Sequence, residues 1–123
     1  MNLIDSSAWL AFFADTKNAE EFVPPLKDKD RLLVPTIVMY EVFKVLLREK
    51  GEDAAIRAQA HMQQGTTSEL TAKIAVSAAE TSIEKRLPMA DSIILATARA
   101  FDAEIWTQDE HFKGIDSVHY FPA

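Results

Sequence analysis

Apolar and polar positions fall in blocks along the 123-residue chain, and the blocks predict strands and helices in turn. Met1-Asn2-Leu3-Ile4-Asp5-Ser6-Ser7 is an apolar run too short for a helix, closed by one carboxylate and two hydroxyls. Ala8–Phe13 then continues with helical spacing. This order reads as a buried strand feeding a helix, with Asp5 at the strand's carboxyl end. Asp15–Asn18 is turn chemistry, and Ala19–Val23 reads as a short helix stopped by Pro24-Pro25. Arg31–Val34 reads as a second strand, and Pro35-Thr36 opens a helix through Lys50, which Gly51 stops. A further helix is predicted from about Asp53 to Gln64, ending at Gly65.

The second half repeats the pattern. Thr66–Leu70 holds a weakly patterned strand, and Thr71–Arg86 is helical, with Ala72, Ala75, Ala78 and Ala79 offering a thin face for close packing. Leu87-Pro88 breaks that helix. Met89–Phe101 is apolar nearly all round and predicts a helix buried on most sides. Glu104–Thr107 and Ser117–Phe121 are the last two strands. Strands alternating with helices imply a three-layer α/β/α fold around a central, mostly parallel sheet of four to five strands. At this length residues 1–123 are expected to form a single domain.

Composition narrows the chemistry. The chain has no cysteine, which excludes disulfides, thiolate metal sites and cysteine nucleophiles and fits a cytoplasmic protein. No apolar run is long enough to cross a bilayer, and the start is unlike a signal peptide. The net charge of −6 argues against broad adhesion to nucleic acid through a basic face. A phosphate ligand would have to be met by a local basic patch or by bound cations.

Four acids stand where solvent is not expected. Asp5 ends a buried strand, Glu41 interrupts the apolar stretch Ile37–Phe43, Asp91 lies in the first turns of the most apolar helix, and Asp109 follows the strand ending at Thr107. Each has a plain structural explanation. Asp5, Asp91 and Asp109 can cap helices or turns, and Glu41 can pair with Lys44 and Arg48 at i+3 and i+7. Taken together they differ, because a charge in apolar surroundings costs several kcal/mol unless it is paired or binds a cation. In a parallel sheet such positions can converge on one edge. An all-oxygen set of that kind suits Mg²⁺ or Mn²⁺.

Leu3-Ile4-Asp5-Ser6-Ser7, Tyr40-Glu41-Val42, the block from Leu87 to Ala98 containing Asp91, and Thr107-Gln108-Asp109-Glu110-His111-Phe112 resemble the PIN domain, and more narrowly the VapC-type toxin ribonucleases. The resemblance runs through the whole chain in order and spacing. It implies a PIN-like fold with Asp5, Glu41, Asp91 and Asp109 as catalytic and metal-holding acids, and Ser7 and Thr107 as supporting hydroxyls. One position departs: family members often carry a second acid where this chain has His111. The activity implied is endonucleolytic RNA cleavage by water activated at one or two Mg²⁺ (or Mn²⁺) ions, leaving a 5′-phosphate and a 3′-hydroxyl. It also implies a cognate antitoxin and a homodimer.

Lys44 and Arg48, on the Glu41 face of their helix, are the candidate RNA-phosphate contacts, while Trp9, Phe12, Phe13 and Trp106 read as core. His61, His111 and His119 show no ligand spacing. A haloacid-dehalogenase type of phosphotransferase needs a second Asp two residues after the first, where this chain has Ser7. The competing class is a PIN-fold binding module that acts only by docking a protein or RNA partner.

Overall fold

The computed structural model describes residues 1–123. At its centre is strand β1 (Asn2–Ile4), whose Leu3 and Ile4 are both fully buried. Successive strand residues point to opposite faces, so burial of both means that both faces of the sheet are covered. The chain then forms α1 (Ser6–Ala14), α2 (Ala19–Lys27), a 3₁₀ turn (Lys29–Arg31), β2 (Leu32–Pro35), α3 (Thr36–Lys50) and α4 (Glu52–Met62). There follow β3 (Thr66–Ser68), α5 (Ala72–Lys85), α6 (Met89–Ala100), β4 (Glu104–Thr107), a second 3₁₀ turn (Glu110–Phe112) and β5 (Val118–Tyr120).

The five strands lie in the order β3-β2-β1-β4-β5, and every neighbouring pair is parallel. The three-layer α/β/α architecture expected from the alternating pattern is the one observed. The chain steps from β1 to β2 to β3 in one direction and then returns across the sheet to β4 on the other side of β1. Strand order therefore reverses between β1 and β4. At such a switch point the connecting segments leave in opposite directions and open a crevice beyond the strands' carboxyl ends.

Most boundaries fall within two residues of the periodicity, and side-chain caps fix two of the helix starts. Asp5 caps α1 by accepting from the Ala8 N–H at 3.0 Å, and Thr71 caps α5 by accepting from the Ile74 N–H at 3.2 Å. Gly51, at φ 94°, ends α3 in a conformation that a side chain would strain.

Three expectations are corrected. Pro24-Pro25 does not stop α2, which runs on to Lys27. Phe22, Pro25 and Leu26 are buried together at i, i+3 and i+4, and that burial outweighs the lost backbone donors. α6 does approach α5 closely, as the alanines suggest, but over a narrower face: Ala78 packs with Ile74, Ile93 and Ala96, whereas Ala72, Ala75 and Ala79 stay exposed. Trp106 is only half-buried, because β4 lies next to the edge strand. Its Nε1 donates to Asn2 Oδ1 at 3.0 Å and its ring stacks on His119, with centroids 4.0 Å apart. Trp9 is fully buried, and Phe12 and Phe13 pack part-buried against it, as expected for core aromatics.

Candidate metal centre

Asp5 emerges from β1 into the crevice and is only 2% exposed. Every oxygen it has is held. Oδ1 accepts from Ser7 Oγ at 2.7 Å and from the Ala8 N–H at 3.0 Å, and Oδ2 accepts from Thr107 Oγ1 at 2.6 Å. Burial drives the Asp5 pKa up from 3.8 to about 6. The bonds from Thr107, Ser7 and Ala8 oppose that rise, and the Asp109 charge adds to it.

Thr107 and Ser7 tie the β4 loop to this carboxylate. Thr107 Oγ1 accepts from the Asp109 N–H at 2.8 Å, and Ser7 Oγ accepts from the Gln108 N–H at 2.9 Å. The two hydroxyls thus bridge β1 and β4 across the switch point. Asn18, buried between α1 and α2, adds a third tie: its Nδ2 lies 2.9 Å from Gln108 Oε1, 2.8 Å from the Pro122 carbonyl and 3.3 Å from the Phe121 carbonyl.

Asp109 in turn caps the Glu110–Phe112 turn, accepting from the His111 N–H at 2.9 Å. That turn brings the imidazole back toward the carboxylates. His111 Nδ1 stands 3.0 Å from Asp109 Oδ1 and 2.8 Å from Asp91 Oδ2, which projects from the first turn of α6. Ligand atoms of Asp91, Asp109 and His111 all lie within 4.8 Å of one another. Burial first, and then the Asp109 charge, raises the Asp91 pKa, while His111 opposes the rise. The two carboxylates, Asp109 foremost, raise the His111 pKa.

Glu41 approaches from α3 and is half-buried, its Oε1 accepting from Ser6 Oγ at 2.7 Å. Asp5 and Glu41 are therefore joined through consecutive residues at the start of α1. Neither belongs to the close group formed by Asp91, Asp109 and His111. No lysine or arginine pairs with any of the four acids. The ion pair considered for Glu41 is absent: Lys44 lies over the Tyr40 ring, 5.6 Å from its centroid, and Arg48 meets Glu49 at 3.4 Å.

Two participants escaped the pattern. His111 carries no ligand spacing in the chain, and only a short turn two residues after Asp109 brings it to Asp91. Ser6 is the other: of the two adjacent hydroxyls only Ser7 is expected at the site, and the helix direction that turns Ser7 to Asp5 turns Ser6 to Glu41.

The donor set fits a divalent cation. Two carboxylates are held side by side, one with its proton affinity raised by burial and by its neighbour, and the protein's only counter-charge is an imidazole. A hard cation among them removes both penalties.

A parallel sheet in the order 3-2-1-4-5, with acids gathered at its switch point, defines an α/β protein of the PIN class. Residues 3–118 match the PIN domain, and the chain belongs to that family. Among curated proteins none matches its sequence. Among solved structures, a toxin–antitoxin complex from Klebsiella pneumoniae contains a chain similar to it, with a TM-score of 0.85, 21% identity and 100% of each chain covered. VapC20 of Mycobacterium tuberculosis, described as a sarcin–ricin loop cleaving toxin, has a TM-score of 0.81 at 21% identity, covering 99% of this chain and 100% of that one. VapBC2 from Rickettsia felis, bound to a DNA fragment from its promoter, has a TM-score of 0.73 at 16% identity, covering 98% and 97%.

Proposed function

We propose that this chain is a metal-dependent endoribonuclease and the toxin of a toxin–antitoxin pair, its 123 residues acting as one PIN-like unit. The observation that carries the reading is the apposition of Asp91 and Asp109 at the crevice, with no lysine or arginine against any of the four acids. Asp5, Asp91, Asp109 and Glu41 would hold Mg²⁺ or Mn²⁺, directly or through water. Such a cation, when bound, neutralises charge on the phosphoryl oxygens and makes water a competent nucleophile near neutral pH.

The remaining work falls to the chain itself. Ser7 and Thr107 fix both oxygens of Asp5, so that this ligand needs no reorganisation when RNA arrives. Ser6 occupies one Glu41 oxygen and leaves Oε2 to orient a water or accept its proton. Lys44 and Arg48 lie about one and two turns beyond Glu41 on α3 and are exposed, which suits them to follow an RNA backbone past the acids.

The partners follow from the family and from the surface. Fold relatives occur in toxin–antitoxin complexes. Met39, Tyr40, Phe43 and Leu47 line an open apolar groove of about 670 Å³ on α3, with Lys44 at its side and Gln59 from α4. A groove of that kind suits an antitoxin helix, and the protein would work in the cytoplasm as a homodimer. No helix is long and apolar enough to cross a membrane.

The test uses purified protein, end-labelled RNA and added Mg²⁺ or Mn²⁺. Cleavage should require the cation, leave 5′-phosphate ends, and fall at least about 100-fold in Asp5→Asn and Asp91→Asn. RNA decay equal in wild type and Asp5→Asn would overturn the reading and leave a PIN-fold binding module.

A further inference from the structure

We propose that His111 Nδ1 is itself a ligand of the bound cation, and that this nitrogen makes the site prefer a first-row transition ion to Mg²⁺. The inference rests on the metal-dependent reading above and deepens it.

The placement of the ring is built, not incidental. The Asp109 carboxylate accepts from the His111 backbone N–H at 2.9 Å, so the turn that carries the ring is folded onto one of its neighbours in the cluster. From there Nδ1 reaches Asp91 Oδ2 at 2.8 Å and Asp109 Oδ1 at 3.0 Å, across 20 and two residues of sequence. Adjacent donors around an octahedral ion with bonds of ~2.1 Å stand ~3.0 Å apart. The two separations from Nδ1 match that spacing, and all three ligand atoms lie within 4.8 Å of one another, so an ion can enter among them without moving the side chains far. The ring is also accessible, with 51% of the side chain exposed.

Donor chemistry then sets the preference. Mg²⁺ takes hard oxygen ligands and keeps its water, whereas imidazole adds affinity for first-row transition ions. Mn²⁺ binds most weakly of that series, so a preference seen with it is the most demanding case. The other two imidazoles are engaged elsewhere: His61 packs among Trp9, Phe12 and Phe13, and His119 meets Glu104 at 2.8 Å while stacking on Trp106. Only one histidine stands at the crevice.

The experiment is a titration of the whole chain with Mn²⁺, followed by electron paramagnetic resonance, with Mg²⁺ as competitor. Bound Mn²⁺ should show coupling to one imidazole nitrogen in the pulsed spectrum. In His111→Gln that coupling should vanish, and Mn²⁺ binding should weaken about tenfold while Mg²⁺ binding changes less than about twofold. His111→Asn, checked for fold by circular dichroism, should behave alike. Unchanged coupling and Mn²⁺ affinity in both variants, or equal weakening of both ions, would overturn the role of His111. In either of those cases, loss of Mn²⁺ binding in Asp91→Asn would show that the metal reading survives. If the wild type binds Mg²⁺ but no Mn²⁺, only the role of His111 falls; if calorimetry shows that it binds neither ion, both readings fall.

Discussion

Thr107 Oγ1 donates to Asp5 Oδ2 at 2.6 Å and accepts the Asp109 N–H at 2.8 Å, so one hydroxyl couples two of the four acids. Thr107 is itself fully buried at the end of β4. Replacing it with Val keeps the shape but leaves Asp5 short of a donor and the Asp109 N–H without its acceptor. Thr107→Val should cost about 1–3 kcal/mol of stability, because each buried group carries its desolvation penalty unrelieved. Thr107→Ser, which keeps the oxygen, should cost much less. Urea unfolding of the two variants separates lost bonding from lost volume; equal stabilities would contradict the coupling.

The raised proton affinity of Asp5 gives the metal-free protein an unusual pH profile. The unfolded carboxyl releases its proton near 3.8 and the folded one only near 6, so between those values the folded state binds more protons. Stability must therefore fall as pH rises through that window, by about 3 kcal/mol from Asp5. Asp91 shifts in the same direction. His111 adds to the trend with opposite chemistry: its pKa is raised, so its contribution is present below its ordinary value of 6.5 and is lost as pH climbs through the folded one. In EDTA the protein should melt higher at pH 5 than at pH 8, and Asp5→Asn should flatten the slope. Millimolar Mn²⁺ at pH 8 should restore stability by mass action. A melting temperature indifferent to both pH and Mn²⁺ would remove the electrostatic basis of the site.

The short contact between Ser6 and Glu41 predicts a different signature. Ser6 is half-buried at the first position of α1, and its hydroxyl fixes Oε1 of Glu41 at 2.7 Å. Under the nuclease reading Ser6→Ala should lower kcat about tenfold with KM little changed, since it frees the carboxylate that orients water without touching RNA. Steady-state cleavage kinetics check this, and a rise in KM at constant kcat would point to RNA binding instead.

Local patterns reached the strands because Leu3-Ile4, Leu32–Val34 and Ile105 are short apolar runs with nowhere else to go than a covered sheet. They reached Asp5, Glu41, Asp91 and Asp109 as oddities, because a carboxylate in an apolar block needs a reason wherever it ends up. What they missed depends on distance. Pro24-Pro25 reads as a stop until Phe22 and Leu26 are seen buried beside it. His111 is an ordinary exposed histidine until the turn after β4 is laid against α6. Lys44 looked like a partner for Glu41 by its i+3 spacing, but the Tyr40 ring on the same helix takes its ammonium instead. Spacing along one helix says which groups share a face, and packing against other elements decides which of them meet.

Asn18 joins the site to the end of the chain. It is a buried amide whose Nδ2 faces Gln108 in the loop between Thr107 and Asp109, together with the carbonyls of Phe121 and Pro122 beyond β5. The two hydrogens of that nitrogen serve three acceptors, so removing it strands polar groups on two segments at once. Asn18→Ala should destabilise the fold by about 2 kcal/mol and loosen the terminal segment first. Amide exchange at Phe121, whose N–H is bonded to the Thr107 carbonyl at 2.9 Å, should quicken more than exchange in α6. Gln108 lies between Thr107 and Asp109, so under the metal reading that loosening should also weaken Mn²⁺ binding several-fold, as when the support of a ligand is removed. Faster exchange at Phe121 with unaltered Mn²⁺ affinity would mean that Ser7 and Thr107 alone hold the loop.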